Sequence, residues 1–572
     1  MRFPTIALAA GLFLTTHAAG SFHRGTPKMD IGPDDDTISP STLQKRAESF
    51  NGWGTFDQLI DHANPSLGTF PQRYWYGTEF WKGPGSPVYL VTPGEQSGEG
   101  FNRTWLGSAR LSGLMANQTG GAVVILEHRY WGESSPYEEL TVQNLTHLTL
   151  ENSLKDLTYF AKNFVPPFDT SGNSSADKAP WVFVGGSYAG ALAGWLAVLE
   201  PDTFWAYYGS SGVVEAIGDF WQYFVPVQEA TPKNCSADVN AVINYVDLTL
   251  SFGSEKKKQE LKDKFMLGDL EDTDFASALE WGPWQWQSTQ FYSVRNSGYT
   301  PYSRFCDYIE NVWPNSTNKV PGAKGVGLAK AMDGYAKWFK EEMLPGFCEE
   351  GGYADWQGTY NVGCFQNLNA SNVAYKDLTP GNWVNRQWLW MLCNEPYATP
   401  FPLILLSIQT LMTSLLHHSF EWWQDGAPLP LPTLVSRHVN AQYFRKQCEL
   451  IFPPSEGVPY GIIQGKRARD VNRWTGGWTA INLTRAMFTN GELDPWRDAT
   501  LSSKFRPGGP AQSTERRPVR LVQGGVHCSD LYGPNWEVNE DVRKLVLEAT
   551  GQMKGWVGEW YEGKGVGKPW EV

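Results

Sequence analysis

The stretch that most constrains the fold of this chain is residues 181–200, where a short apolar run meets two glycines and a serine. Trp181 to Val184 are apolar and partly β-branched, which predicts a buried strand. Gly185 and a second glycine come next, followed by Ser187 and an apolar pattern of helical spacing that stops before Pro201. Small residues are required where a sharp turn presents a serine above a sheet. The stretch therefore predicts a strand, a tight turn that exposes a serine hydroxyl, and a helix.

This motif by itself fits either a reactive serine or a glycine-rich turn before a packed helix. Ala189 stands where the general G-x-S-x-G pattern has its second glycine, so the assignment depends on partners. A serine hydroxyl becomes nucleophilic when a histidine takes its proton and an acid orients that histidine. Asp494 and His527 follow in the expected order, each in a loop after an apolar, strand-like run. We therefore predict Ser187, Asp494 and His527 as a catalytic triad.

Other acids and histidines fit these roles less well. His438 lacks a strand–loop context, and His128 precedes the serine. His417 and His418 lie in the unusual apolar segment 398–419. Asp498 and Asp530 compete for the role of the acid, but their positions favour capping or flanking helices.

Three short motifs carry a family resemblance: Gly-Gly-Ser-Tyr-Ala-Gly at 185–190, Asn-Gly-Glu-Leu-Asp-Pro-Trp at 490–496 and Gly-Val-His-Cys-Ser-Asp-Leu at 525–531. Together they resemble the family of lysosomal Pro-Xaa carboxypeptidase and dipeptidyl-peptidase II, and most of all the secreted acid prolyl endopeptidases of filamentous fungi. The resemblance extends over nearly all of the chain beyond its N-terminal segment. It implies a serine peptidase that cleaves after proline, with proline-containing peptides or proteins as its partners.

The resemblance also implies a pocket for the proline ring. Trp496, next to the predicted acid, matches the family's aromatic pocket, and Trp390 and Met391 are weaker candidates. An aromatic slot suits a flat apolar ring that has no N–H.

Two backbone N–H groups are expected to hold the oxyanion that forms during acyl transfer. One is assigned to Tyr188, directly after the serine, and the other to Gly94 or Glu95 in the loop that follows a predicted strand at 87–91. The alternative is that this loop only ends a strand.

The predicted architecture is an α/β-hydrolase core, formed by residues 47–212 and 471–572, with an inserted helical cap at 213–470 that roofs the site. In this insert, alternating strands give way to helical patterns and tryptophan-rich loops. Six of the seven cysteines fall there: Cys235, Cys306, Cys348, Cys364, Cys393 and Cys448. In a secreted chain they predict three disulfides, with the pairing left open. Cys528 is then the odd cysteine and is interpreted as a buried packing thiol.

The N-terminus predicts export. Residues 1–20 read as a secretory signal peptide. Residues 21–46 are polar and end in Lys45-Arg46, which predicts a pro-segment cut before Ala47; the alternative is an arm that is never cleaved. A secreted, possibly vacuolar, glycoprotein is expected, with sequons at Asn102, Asn117, Asn144, Asn173, Asn234, Asn315, Asn369 and Asn482.

Composition excludes several classes of function. The formal net charge of −13 argues against a nucleic-acid partner and, with the resemblance, predicts activity in acid. No phosphate-binding loop and no metal-ligand spacing is found, so we expect no metal and no cofactor. A hydrophobic share of 41% is enough for a large core. No membrane partner is expected, and the oligomeric state is not predicted.

Residues 398–419 depart from the family pattern, because this apolar run contains no Asp, Glu, Lys or Arg. Four interpretations are open: a cap helix with one apolar face, a membrane span, an apolar lid over the cleft, and translated intron sequence. Two prolines and scattered polar residues weaken the membrane interpretation. We favour the intron, because excision joins Tyr397 to Phe420 and restores the family pattern.

Two further functions compete with a prolyl peptidase. One is a serine carboxypeptidase or esterase of other specificity on the same core. The other is a non-catalytic binding protein that retains the hydrolase shell, which the complete Ser, Asp and His set argues against.

Overall fold

A computed structural model describes residues 51–293, 299–314, 316–394, 422–454, 458, 461 and 467–571. Its centre is one eight-stranded sheet. The strands are β1 Asn51–Leu59, β2 Thr69–Gly77, β3 Val88–Val91, β4 Ala122–Leu126, β5 Trp181–Gly186, β6 Ala206–Ser210, β7 Ala486–Gly491 and β8 Val519–Val522. The predicted signal peptide, pro-segment, 398–419 segment and Asn315 lie outside the described residues.

The sheet has the order β1-β2-β4-β3-β5-β6-β7-β8. β1 pairs antiparallel with β2, and β2 pairs antiparallel with β4. All other neighbours are parallel. Strands β3 to β7 are buried along their whole length, as expected of parallel strands covered by helices on both faces. The predicted α/β-hydrolase fold is confirmed.

Helices cover both faces of the sheet and fill the insert. The described α-helices are α1 Phe101–Thr104, α2 Leu111–Thr119, α3 Val142–Leu145, α4 Leu150–Asn163, α5 Tyr188–Leu199, α6 Phe224–Ala230, α7 Lys233–Phe252, α8 Glu255–Lys264, α9 Asp272–Leu279, α10 Trp281–Trp284, α11 Pro301–Glu310, α12 Leu328–Trp338, α13 Arg386–Asn394, α14 Ala441–Ile451, α15 Ala468–Thr475, α16 Gly533–Val538 and α17 Glu540–Lys564. One face of the sheet packs on α4 and α5, and the other on α2 and α17.

The chain between β6 and β7 supplies α6 to α15, and its cysteines form the three predicted disulfides. The pairs are Cys235–Cys306, Cys348–Cys364 and Cys393–Cys448. Cys528 is free and buried, as predicted. The exact domain boundaries stay a prediction. Within the described residues, no helix combines the length and apolar character needed to cross a bilayer.

The predicted glycosylation asparagines differ in their exposure. Asn117, Asn173, Asn369 and Asn482 are exposed, whereas Asn102, Asn144 and Asn234 are half-buried. Asn234 also donates its amide N–H to Glu310 at 2.7 Å, which ties up the nitrogen that a glycan would modify. The four exposed sequons are therefore the more accessible acceptors.

Candidate active site

Ser187 occupies a strained turn between β5 and α5. Its backbone has φ 59° and ψ −126°, a left-handed region that a serine adopts only when its surroundings impose it. A Cβ on Gly185 would lie 2.0 Å from the Ala189 carbonyl oxygen, and one on Gly190 would lie 2.6 Å from the Ser210 carbonyl oxygen. The tight contacts thus require glycine at 185 and 190 but not at 189. This explains why the sequence departs from the general motif at Ala189.

The structure brings the three predicted triad residues together at the carboxyl edge of the sheet. His527 Nδ1 lies 2.9 Å from Asp494 Oδ1, and His527 Nε2 lies 2.9 Å from Ser187 Oγ. Because a carboxylate only accepts hydrogen bonds, Nδ1 carries the proton and Nε2 accepts from the serine hydroxyl. This is the arrangement in which a histidine can take the proton of an attacking serine.

The environment of His527 favours its protonated form. Burial lowers the pKa of the imidazole, but the Cys528 sulfur and the Asp494 carboxylate beside it raise the pKa, and the result lies well above the ordinary value. An anion next to the ring stabilises imidazolium, the species that forms when serine gives up its proton.

The acid is held in place by its own loop. Asp494 accepts hydrogen bonds from Asn490 Nδ2 at 2.8 Å and from the Trp496 backbone N–H at 2.9 Å. The two competing acids, Asp530 and Asp498, bond to other side chains and not to His527. Asp530 accepts from side chains of β6 and β7, including Ser210 at 2.6 Å, and Asp498 pairs with Arg497 at 2.8 Å.

The loop expected to supply an oxyanion donor lies against the serine turn. Gly94 has φ 73°, and a Cβ there would sit 3.4 Å from the Tyr188 ring. Glu127, at the end of β4, anchors this loop by accepting from the Gly98 backbone N–H at 2.8 Å. The same carboxylate pairs with Arg73 at 2.8 Å, so its charge is neutralised within the protein.

His128 supports the residue that follows the serine. Its Nδ1 lies 2.9 Å from the Arg129 carbonyl oxygen, and its Nε2 lies 3.2 Å from Tyr188 Oη. Nδ1 therefore donates and Nε2 accepts. Burial lowers the pKa of His128 to about 4, so the ring stays neutral in mild acid. From the sequence His128 was considered only as a possible base, and nothing there indicated this contact with Tyr188.

An aromatic cluster connects the serine turn with the acid loop. The Trp388 ring lies 5.1 Å from Tyr188, and Trp422 lies 6.2 Å from Trp388 and 6.1 Å from Trp496. Trp496 also packs edge-on against Tyr223 at 5.2 Å. All five rings are buried. The predicted Trp496 thus belongs to a larger apolar surface beside the triad.

The other predicted pocket residues are placed differently. Trp390 donates its indole N–H to the Leu148 carbonyl oxygen at 3.2 Å and packs edge-on against Phe452. Met391 is fully buried. Trp388, which the sequence analysis did not select, is the tryptophan of α13 whose ring contacts Tyr188. Trp390 and Met391 stay predictions, and Trp388 joins them as a candidate for the pocket because its ring contacts Tyr188.

A segment of the insert, residues 285–292, crosses both triad loops. Trp286 donates to the Leu493 carbonyl oxygen at 2.8 Å, next to the acid. Gln290 donates to the His527 carbonyl oxygen at 2.8 Å and accepts from Asn535 at 2.7 Å. Because these bonds join the insert to backbone on both sides of the triad, the 285–292 segment fixes the spacing between acid and base. No cluster of potential metal ligands occurs among the described residues.

Comparison with known proteins finds serine peptidases among the relatives of this chain. A family model described as serine carboxypeptidase S28 matches residues 58–399. The chain is 38% identical over 532 residues to serine protease vicPb of Bipolaris victoriae (strain FI3), with 92% of each protein covered. It is 28% identical over 514 residues to a probable extracellular serine carboxypeptidase of Arthroderma benhamiae, covering 86% of this chain and 64% of that protein.

A solved arylesterase superposes with a TM-score of 0.32 at 10% identity, covering 91% of this chain and 94% of its own, a likeness too distant to carry an argument. The family is shown instead by the sequence matches. Since the family model spans more than half of the chain and a relative above 30% identity spans nearly all of it, the chain belongs to the serine carboxypeptidase S28 family of serine peptidases.

Proposed function

We propose that this peptidase cleaves peptide bonds after proline through an acyl-enzyme on Ser187. The observation that carries the proposal is the continuous hydrogen-bonded chain from Ser187 through His527 to Asp494. Ser187 Oγ attacks the carbonyl carbon and passes its proton to His527 Nε2, while Asp494 holds Nδ1–H. His527 then protonates the leaving amine, and a water activated by the same imidazole hydrolyses the acyl-enzyme.

The oxyanion of each tetrahedral intermediate is proposed to accept from the backbone N–H groups of Tyr188 and Gly94. Donors that are fixed before the reaction need no reorganisation as charge develops, which is why they stabilise the transition state more than water does. His128 and Glu127 support this role, because they hold the Tyr188 side chain and the loop that contains Gly94.

Preference for proline is proposed from the aromatic cluster beside the triad. A prolyl ring is compact and apolar, and its nitrogen carries no hydrogen, so an aromatic wall can enclose it without leaving a donor unsatisfied. Trp496 and Trp388 approach the site from the acid side and the serine side respectively. They are the side chains that we assign to this pocket.

Secretion and activity in mild acid complete the proposal. Secretion is supported by the signal-like N-terminus and by the Arthroderma relative, which is named extracellular. Acid activity is supported by the net charge of −13, but the raised pKa of His527 acts against it, since only neutral imidazole can take the serine proton. Within this proposal, turnover in acid proceeds through a minority of neutral His527.

Matched peptides test the proposal. Pairs that differ only by Pro or Ala before the scissile bond, offered both inside a chain and next to a free carboxyl end, should be cleaved only when proline is present. Ser187→Ala should abolish both cleavage and labelling by a fluorophosphonate. Equal cleavage of the alanine peptides would favour an ordinary carboxypeptidase, and labelling of Ser187→Ala protein would refute the assigned nucleophile.

A further inference from the structure

A buried carboxylate lies three residues after the catalytic base. Asp530 belongs to the short turn Ser529–Leu531 and is 2% exposed. Its Oδ2 accepts from Tyr208 Oη at 2.5 Å and from Thr489 Oγ1 at 2.8 Å, and its Oδ1 accepts from Ser210 Oγ at 2.6 Å. Because a carboxylate only accepts hydrogen bonds, it takes all three hydroxyl protons without conflict. Bonds to an ionised acceptor are stronger than bonds between neutral groups, so they attach this turn tightly.

The three donors come from two neighbouring strands of the sheet. Tyr208 and Ser210 belong to β6, and Thr489 belongs to β7, the strand that leads into the loop of Asp494. Ser210 also makes a second bond, because its carbonyl oxygen accepts from the backbone N–H of Ser187 at 2.9 Å. Ser210 is therefore bonded to the nucleophile through its backbone and to the turn after the base through its hydroxyl.

The backbone beside the base is strained. Cys528, directly after His527, has φ 52°, and Ser211 has φ 48°. These are left-handed conformations, which residues other than glycine keep only when their surroundings impose them. The Cys528 backbone N–H donates to Ser211 Oγ at 2.9 Å, so the two strained residues are bonded to each other. The three bonds of Asp530 attach the same turn to the sheet and help to impose this backbone.

The loop that contains the base is attached differently on its two sides. Upstream, backbone joins it to the acid loop, where the Leu493 N–H donates to the Gly525 carbonyl oxygen at 2.8 Å. Downstream, the side chain of Asp530 supplies three bonds to β6 and β7. His527 lies between these two attachments. A shift of either one would therefore move its Nε2 relative to Ser187 Oγ.

We propose that Asp530 is a positioning residue that sets the distance between the imidazole of His527 and the hydroxyl of Ser187. The proposal rests on the triad of the proposed function. Asp530 acts through its bonds to β6 and β7, and its charge is not required beyond making those bonds. Without them the turn after His527 relaxes, and Nε2 no longer meets Ser187 Oγ at 2.9 Å. A displacement of about 1 Å at a reacting group can lower turnover about 100-fold.

Two substitutions separate bonding from charge. Asp530→Leu is similar in size and removes all three bonds, so kcat should fall about 10- to 100-fold while KM changes less than about 3-fold. Asp530→Asn removes the charge, but its amide oxygen still accepts from Tyr208 and Thr489 while its nitrogen donates to Ser210 Oγ. This variant should keep kcat within about 5-fold of the wild type. Neither should move the acidic limb of kcat/KM, since the ring itself bonds to a different carboxylate.

Single-donor variants decide the matter if Asp530→Leu protein does not fold. Ser210→Ala and Thr489→Val each remove one of the three bonds and leave the carboxylate in place. Each should lower kcat about 3- to 10-fold with little change in KM, the range expected for one lost hydrogen bond.

Asp169→Leu is the matched control. Asp169 is also buried and accepts from Ser171 Oγ at 2.5 Å and from Ser174 Oγ at 2.6 Å. Its loop lies next to Trp181 at the start of β5, whereas the nucleophile follows the other end of that strand. Asp169→Leu should lower Tm as Asp530→Leu does, but it should leave kcat within about 2-fold.

The rate of labelling by a fluorophosphonate, measured on protein whose near-UV circular dichroism is native, separates the possible outcomes. Wild type that is not labelled at Ser187 would refute the triad of the proposed function. Labelling of Ser187 that is equally fast in Asp530→Leu, or hydroxyl variants with unchanged kcat, would overturn the positioning role alone. Equal losses in Asp530→Asn and Asp530→Leu, or a shifted acidic limb, would assign the effect to charge and also overturn it. A change confined to KM would overturn it as well.

Discussion

Asp494 controls how the site responds to pH, because its carboxylate is one of the groups that raise the pKa of His527. Asp494→Asn keeps the shape but removes the charge, so the pKa of His527 should fall. The acidic limb of kcat/KM should then move to lower pH, since neutral imidazole persists further into acid. Turnover itself should drop by about four orders of magnitude, because the imidazolium is no longer stabilised.

The measurement is a pH profile of kcat/KM for both proteins on one prolyl peptide. Asp498→Asn, which changes a buried acid that pairs with Arg497 instead of His527, is the control. A limb that stays in place, or moves to higher pH, in Asp494→Asn would contradict the role given to this carboxylate.

The residues of the site could be predicted from the sequence where each one follows a recognisable run of strand-like residues. Ser187, Asp494 and His527 each follow a strand-like run, and the structure brings them within hydrogen-bond distance. Trp388 could not be found in this way. It lies two positions from Trp390, about 200° around the same helix, and no local signal shows which face of α13 meets the serine turn.

At the scale of elements, the 285–292 segment makes a specific prediction. Gln290→Leu removes the hydrogen bond to the His527 carbonyl oxygen and one of the two acceptors of the Asn535 amide, which also donates to the Ser529 carbonyl oxygen. The base should become less well placed, so kcat should fall about 10-fold with a smaller change in KM. Steady-state kinetics at fixed pH test this, with exposed Gln357→Leu as the control.

The interpretation of residues 398–419 as intron sequence also belongs to this scale. Both flanks are anchored, by the Cys393–Cys448 disulfide on one side and by Trp422, which donates to the Glu215 carbonyl oxygen at 2.6 Å, on the other. Removing 398–419 should therefore give an active enzyme that is secreted in higher yield, since an apolar run without charge promotes aggregation. Expression of both forms and sequencing of the transcript check this. Mature message that contains these codons and yields active enzyme would rule out the intron.

Some strands and disulfides could be predicted from the sequence, and others could not. Apolar runs identified the buried strands β3 and β5, because burial on both faces leaves a continuous hydrophobic signal. β1 was missed, since an edge strand with one alternating, half-exposed face carries little hydrophobic signal. The six cap cysteines were predicted to pair, but their partners lie 71, 16 and 55 residues apart, and only the packed helices determine that pairing.

For the whole molecule, buried carboxyl groups link stability to pH. Burial, with Asp238 and Asp307 nearby, raises the pKa of Glu310 from 4.5 to about 7. The folded state therefore holds this proton where the unfolded state has lost it, and stability falls as pH rises from about 4.5 to about 7. Glu310→Gln removes this dependence, so the fall in Tm between pH 5 and pH 8 should be smaller than in the wild type.

Thermal unfolding at several pH values measures the effect, with the exposed Glu138→Gln as the control. Tm profiles of Glu310→Gln and wild type that run parallel would show that Glu310 does not carry the dependence. As pH rises, the fold therefore loses stability while the fraction of neutral His527 grows, so the two groups act in opposite directions on activity.

The active site is assembled from distant parts of the chain, and this sets the time at which the enzyme can first act. Ser187 and His527 are 340 residues apart, and the base arrives only after β8. Since chains fold from the N-terminus as they are made, a nascent chain carries its serine long before it carries the histidine. The enzyme therefore stays inert on the ribosome and throughout most of its synthesis, and the proteins that handle the growing chain are not exposed to its activity.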